Sequence, residues 1–168
     1  MPVKVGDPAP DFELMNQDKS PVKLSSFRGQ KKVVLLFYPM DFSPVCTAEH
    51  CTFGPQLGQI NAGGDAVVFG VSTDSPFCHA AFKKQYNIPY DLLADVNRTA
   101  SKDYNLFWSD GPFNCSKRGT VVIDTSGKVV FWQEQPTREA RKTDELLKWI
   151  AVETAMQQRA NEGGDAVT

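Results

Sequence analysis

No apolar run in this 168-residue chain approaches the roughly 20 residues that cross a bilayer, so no membrane-spanning segment is expected. An excess of charge of one sign is also missing. The 18 Lys and Arg against 20 Asp and Glu leave a net charge of −2, with a pI near 5.7. Neither nucleic acid nor an anionic membrane surface would be drawn to such a chain as a whole, and neither is expected as a partner. The opening Met1-Pro2-Val3-Lys4-Val5-Gly6-Asp7 has no apolar stretch of the kind that drives secretion, and a cytoplasmic protein is expected. Cysteine is scarce: the four, at positions 46, 51, 78 and 115, are too few and too irregularly spaced for a disulfide-scaffolded secreted domain. In a reducing compartment their roles reduce to catalysis, metal binding or burial. Internal repeats and low-complexity linkers are absent as well.

What remains is ordinary globular composition, 41% apolar and 23% charged, in a chain long enough to bury one core. Strand and helix signals alternate along it. Residues 1–12 are proline-punctuated and extended. Phe12–Met15 and Pro21–Lys23 read as short strands about the turn Asn16–Lys19. Val33–Tyr38 is a continuous β-branched and aromatic run, the mark of a strand covered on both faces, and a helix opens just after it at Ser43. Ala66–Ser72 is a second buried strand, followed by a helix begun by Asp74 or Ser75 with Pro76. A short strand ending at Leu92–Asp95, a short helix over Arg98–Tyr104, and a hairpin of Thr120–Asp124 with Lys128–Trp132 come next. A closing helix is expected from about 137 to 160, with 161–168 a loose tail. The pattern predicts one α/β domain over 1–160, a central mixed sheet flanked by helices, with an N-terminal β-hairpin extension.

The most informative segment is Phe37–Cys51. Ser43 is a good N-cap residue, and Pro44 suits the first helical position, where its missing N–H costs nothing. Cys46 then falls in the first turn, where free backbone N–H groups and the helix dipole favour a thiolate, the reactive form of cysteine. This helix starts past the carboxyl end of a central strand, where open α/β sheets place their sites.

Pro39-Met40-Asp41-Phe42-Ser43-Pro44-Val45-Cys46 resembles the peroxiredoxin signature: a proline, three residues, Ser or Thr, two residues, and the peroxide-reacting cysteine. The similarity extends through Gly6–Phe12, through Gly70–Ser75 with His79 and Phe82, through Leu92–Asp95, and through Arg118–Asp124. Cys51, five residues after Cys46, is similar to the Q-type, or bacterioferritin-comigratory, subfamily. The resemblance implies a thioredoxin-like fold and a peroxidase that reduces hydrogen peroxide and organic hydroperoxides. In that reading Cys46 attacks the peroxide and becomes a sulfenic acid, Cys51 resolves it as an intrachain disulfide, and thioredoxin or a similar dithiol donor recycles the pair. Ser43 contacts the bound peroxide, Arg118 favours the thiolate and polarises the O–O bond, Pro39 shields the sulfur, and Glu49 orients Arg118. No metal, haem or flavin cofactor is implied, because the thiol carries the redox chemistry. A monomer is favoured and a dimer is the alternative state.

Spacing adds a mechanistic expectation. Five residues of helix give a rise of about 7.5 Å and about 140° of rotation, whereas a disulfide needs Cα atoms within roughly 7 Å. The helix must therefore unwind before Cys46 and Cys51 can join, and Gly54-Pro55, just beyond Cys51, is expected to limit how far a rigid helix continues and to ease that step. Cys78, at a helix start that can lower its pKa, and Cys115, three residues before Arg118, are rival resolving thiols, and a one-cysteine cycle is a further variant. Two other classes compete. A thioredoxin-like disulfide oxidoreductase would use Cys-x-x-Cys, but position 49 is Glu49. A metal module would draw on Cys46, His50 and Cys51, with Cys78 and His79, without two clearly paired ligand sets.

Overall fold

The computed structural model describes residues 2–62, 64–136 and 139; the closing helix expected over 137–160 and the tail at 161–168 lie outside the described residues. Seven strands form one mixed sheet: β1 (Glu13–Met15), β2 (Pro21–Lys23), β3 (Lys32–Phe37), β4 (Ala66–Ser72), β5 (Asp91–Ala94), β6 (Arg118–Ile123) and β7 (Val129–Gln135), in the order β2-β1-β5-β4-β3-β6-β7. The central β3 pairs parallel with β4 and antiparallel with β6, and all six of its residues are buried. That double cover explains its unbroken apolar run. The β1–β2 hairpin joins the sheet at its edge through Met15 opposite Ala94.

Alternate residues of β3 feed two cores, as the period of a strand requires. Val33, Leu35 and Phe37 point to one, with Phe69, Val71, Val121, Tyr104 and Leu106. Val34, Leu36 and Tyr38 point to the other, with Leu57, Val68, Phe82 and Cys46. Helices α1 (Pro44–Ala62) and α2 (Pro76–Tyr86) supply the second core; α3 (Thr99–Asp103) and a 3-10 turn at Leu24–Phe27, which carried no clear sequence signal, cover the first. The start of α2 is capped by the Ser75 hydroxyl, which accepts from the Cys78 N–H at 3.2 Å, with Pro76 at its first turn. The extended N-terminal segment runs beside β7, where the Gly6 N–H donates to the Val129 carbonyl at 2.7 Å and the Val129 N–H to the Asp7 carbonyl at 2.9 Å.

One expectation is corrected. Gly54-Pro55 does not stop α1, which continues through Pro55 to Ala62. The burial of Leu57 against β4 and Phe82 holds the segment helical against the local preference of proline. Among the described residues no helix is long and apolar enough to cross a membrane.

Candidate active site

Antiparallel pairing sets Gly119 of β6 opposite Phe37 of β3, which brings Arg118 to the end of the sheet where α1 begins. Cys46 and Glu49, three residues apart on α1, share a helix face. The Arg118 guanidinium spans them, with Nη2 3.1 Å from the Cys46 sulfur and Nη1 2.9 Å from Glu49 Oε1. All three side chains are buried, Cys46 and Arg118 completely. In so dry a setting a charge needs its partner close by. The Glu49 carboxylate balances the guanidinium and fixes its plane, so a donor is aimed at the sulfur before any substrate arrives.

The loop between β3 and α1 supplies the rest. The Ser43 hydroxyl donates to the Met40 carbonyl at 2.9 Å. Its hydrogen is thereby committed to the loop, and its oxygen is left to accept. The Ser43 carbonyl receives the Thr47 N–H at 2.9 Å, beginning the helical ladder. Phe42 takes a φ of 64°, in the left-handed region that favours glycine. Its ring packs on Phe82, 5.1 Å between centroids, which helps hold that conformation.

Asp41, between those residues, ties the loop to the body of the protein. Its carboxylate accepts the Tyr38 hydroxyl at 2.6 Å and meets His79 Nδ1 at 2.6 Å, while its backbone N–H donates to Asp74 at 2.9 Å. His79 Nε2 lies 3.0 Å from the Leu93 carbonyl, so Nε2 carries a hydrogen and a further proton sits between Nδ1 and Asp41. Burial pushes the Asp74 carboxyl up, with the Asp41 charge adding to it. Asp41 carried no sequence signal of this role, because its partner lies 38 residues away and no local spacing connects them.

A cleft of about 190 Å³ opens onto this end of the sheet. Ser43, Pro39 and Arg118 form its inner end, and Met40, Pro44, Val45, Trp108, Pro112 and Phe113 its walls. The last three come from a hairpin-like turn that sequence reasoning passed over, although Gly111-Pro112 is a turn signal.

All four cysteines are free thiols. Cys51, exposed on α1, is one helical turn and a half from the buried Cys46. Cys78 does not gain the lowered pKa expected of a helix start. Burial pushes its thiol up to about 12, and the Asp41 and Asp74 charges reinforce the shift, outweighing the dipole. Cys115 is buried; that burial raises its thiol, and the charge of the nearby Cys46 adds to the effect. The metal trio of Cys46, His50 and Cys51 is not assembled. His50 is turned into the core, where its Nδ1 meets the Tyr90 hydroxyl at 2.5 Å, while Cys51 faces solvent. Among the described residues, the trio whose ligand atoms lie within 4.8 Å of one another is Asp41, Asp74 and His79.

A buried sulfur with a fixed guanidinium beside it, at a helix start past a central strand, defines a thiol-based oxidoreductase. Comparison with known proteins gives the family. Residues 5–132 match the AhpC/TSA family. The chain is 36% identical over 134 residues to peroxiredoxin Bcp of Bacillus subtilis, covering 77% of this chain and 84% of that one. It is 36% identical over 148 residues to the chloroplastic peroxiredoxin Q of Suaeda salsa, covering 88% and 68%. Among solved structures, the reduced 2-Cys peroxiredoxin of Plasmodium vivax superposes with a TM-score of 0.80 at 33% identity, covering 92% of this chain and 98% of that one. The chain belongs to the AhpC/TSA family, with Bcp and peroxiredoxin Q among its relatives. It has the thioredoxin-like fold of the peroxiredoxins and is a thiol peroxidase acting on hydroperoxides.

Proposed function

We propose that the protein runs a two-cysteine cycle in which Cys46 reacts with the peroxide and Cys51 resolves it. The observation that carries the first half is the 3.1 Å approach of Arg118 to the Cys46 sulfur, held by Glu49. The Cys46 thiolate attacks one oxygen of ROOH and the O–O bond breaks. The sulfur is oxidised to a sulfenic acid, and the other oxygen leaves as an alcohol or water after taking a proton. Arg118 and the N–H groups of the first turn of α1 offset the charge on the departing oxygen. Ser43, its own hydrogen given to Met40, accepts from the peroxide O–H. Pro39 narrows the inner end of the cleft and limits water around the sulfur. Glu49 acts as a positioning residue.

In the second half, the Cys51 sulfur attacks that of the Cys46 sulfenic acid, expelling its oxygen as water and leaving a disulfide. Along α1 the two Cα atoms stand about 8–9 Å apart, beyond disulfide reach, so the turn between them unwinds first. An external dithiol of the thioredoxin kind then takes the disulfide back to two thiols and is itself oxidised. The single domain over 1–160, a cytoplasmic location and a monomeric state go with this reading, because a resolving thiol in the same chain needs no partner subunit.

The test is non-reducing peptide mapping by mass spectrometry after one equivalent of hydrogen peroxide, alongside Cys51→Ser. A Cys46–Cys51 link, replaced in the variant by oxidised Cys46, is expected. A link to Cys115 in the wild-type protein would transfer the resolving role there. A link to Cys78 would overturn the assignment of Cys51 as well. Cys46 remaining reduced while peroxide persisted would sink the cycle and revive a disulfide exchange role.

A further inference from the structure

The cleft that reaches Ser43 and Arg118, the latter 3.1 Å from the Cys46 sulfur, is far larger than hydrogen peroxide needs. About 10–15 Å³ admits one water, and this cavity offers about 190 Å³. Its inner end is polar, at Ser43 and Arg118, and its walls are almost wholly apolar. A small polar peroxide gains nothing from such walls, whereas a hydroperoxide with a hydrocarbon tail would bury that tail against them.

The outer wall is built rather than incidental. Phe107 pairs with Ser116 in an isolated bridge, and the Trp108 N–H donates to the Cys115 carbonyl at 2.9 Å, closing the turn. The indole of Trp108 packs close against Gly111, where an added Cβ would meet ring atoms at 2.3 to 2.6 Å. Arg98 pins the far side of the turn, its Nε donating to the Asn114 carbonyl at 2.6 Å. Phe113, held on this frame beside Pro112, remains 59% exposed at the mouth. A large apolar ring kept in water next to an apolar cleft, on a turn fixed at both ends, has the form of an unfilled binding wall.

We propose that Trp108 and Phe113 are specificity-determining residues that receive the apolar tail of an alkyl or aryl hydroperoxide, so that this class is preferred over hydrogen peroxide. The inference rests on peroxide reduction at Cys46. The ROOH head lies between Ser43 and Arg118, and the R group runs outward past Val45 to the two aromatic rings. When the thiolate takes the terminal oxygen, the leaving alcohol keeps its tail on that wall.

The test compares kcat/KM for cumene hydroperoxide and for hydrogen peroxide in the wild-type protein, Phe113→Ala and Gly111→Ala. Phe113 is largely exposed, so its truncation opens no core void; Gly111→Ala displaces the indole without removing it. Each variant is expected to lower the ratio of the two constants about tenfold, chiefly through KM for cumene hydroperoxide. A ratio within twofold of wild type in Phe113→Ala, or an equal fall for both peroxides in both variants, would overturn the proposal. Turnover in the wild-type protein keeps the two questions separate: its absence with both peroxides would remove the peroxidase reading and the tail site together, whereas turnover with a ratio unchanged in the variants would remove the tail site alone.

Discussion

Pro55 stands four residues after Cys51 inside α1, where an unbroken helix would place an amide hydrogen on the Cys51 carbonyl. Proline has no such hydrogen, and its ring crowds that same carbonyl, at a cost of about 3 kcal/mol in a helix interior. The weak point therefore coincides with the thiol that must travel to Cys46. Pro55→Ala restores the amide, tightens the turn and slows disulfide formation after the sulfenic acid appears. The sulfenic acid then waits longer for a second peroxide. Mass spectrometry across a peroxide titration should find a several-fold larger share of Cys46 as sulfinic acid in Pro55→Ala. An unchanged share would mean that unwinding does not depend on this proline.

Arg118 joins Cys46 to Glu49, and the two ends of that link should fail differently. Lysine at 118 keeps a charge but cannot present two donors in one plane. Arg118→Lys is expected to lower the second-order rate constant for hydrogen peroxide about 10²-fold, the scale of one lost donor to a developing oxyanion. Glu49→Gln keeps an acceptor for the guanidinium and should cost about tenfold. Glu49→Ala removes the carboxylate 2.9 Å from the buried guanidinium, and about 3–5 kcal/mol of stability should go with it. Stopped-flow kinetics and denaturant unfolding check both scales; a Glu49→Ala protein as stable as wild type would refute the account of the pair.

The contrast between what could be read from residues and what could not is physical. Lys32–Phe37 and Ala66–Ser72 are buried on both faces, so their apolar runs betray them without any partner in view. Ser43 and Pro44 mark a helix start by local stereochemistry, and Cys46 follows from them. Arg118 is different: nothing local distinguishes an arginine at a strand end, and only the family resemblance pointed to it. Asp41 with His79, and Trp108 with the loop before Ser43, meet through the sheet order, which no short window contains. Pro55 misled for the complementary reason, since tertiary burial of Leu57 outweighs a local preference.

Cys78 tests whether the carboxylates around α2 set its chemistry. With its thiol pushed up to about 12, chiefly by burial and then by Asp41 and Asp74, only about one molecule in 10⁴ is thiolate at pH 8. In the unfolded chain, near an ordinary value of about 8.5, roughly a quarter would be. Iodoacetamide at pH 8 should therefore label Cys78 at least a hundredfold more slowly in the native protein than in guanidinium chloride. Because the thiolate fraction rises with pH below the pKa, the native rate should climb about tenfold per unit through the alkaline range. Asp74→Asn removes one facing charge and should speed it. Equal native and unfolded rates would contradict the buried, acid-flanked setting.

The Asp41–His79 contact makes the sharpest demand on a single atom. Asp41 accepts the Tyr38 hydroxyl on Oδ1 and faces His79 Nδ1 through Oδ2, while His79 Nε2 is committed to the Leu93 carbonyl. Asparagine can reproduce this pattern. Its oxygen accepts from Tyr38, and its NH₂ donates to the Nδ1 of a neutral imidazole whose Nε2 hydrogen stays on Leu93. Asp41→Ala cannot, and removes the two oxygens that the Tyr38 hydroxyl and His79 Nδ1 each meet at 2.6 Å. Asp41→Ala should lose about 2–4 kcal/mol in denaturant unfolding, and Asp41→Asn about 1 kcal/mol or less. The loop carrying Phe42 in its left-handed conformation depends on the same contact, so peroxide turnover should fall more in Asp41→Ala than in Asp41→Asn. If both variants lost stability equally, the contact would require the charge of the carboxylate and not merely its two hydrogen-bonding positions, which would make His79 an imidazolium held by an ion pair.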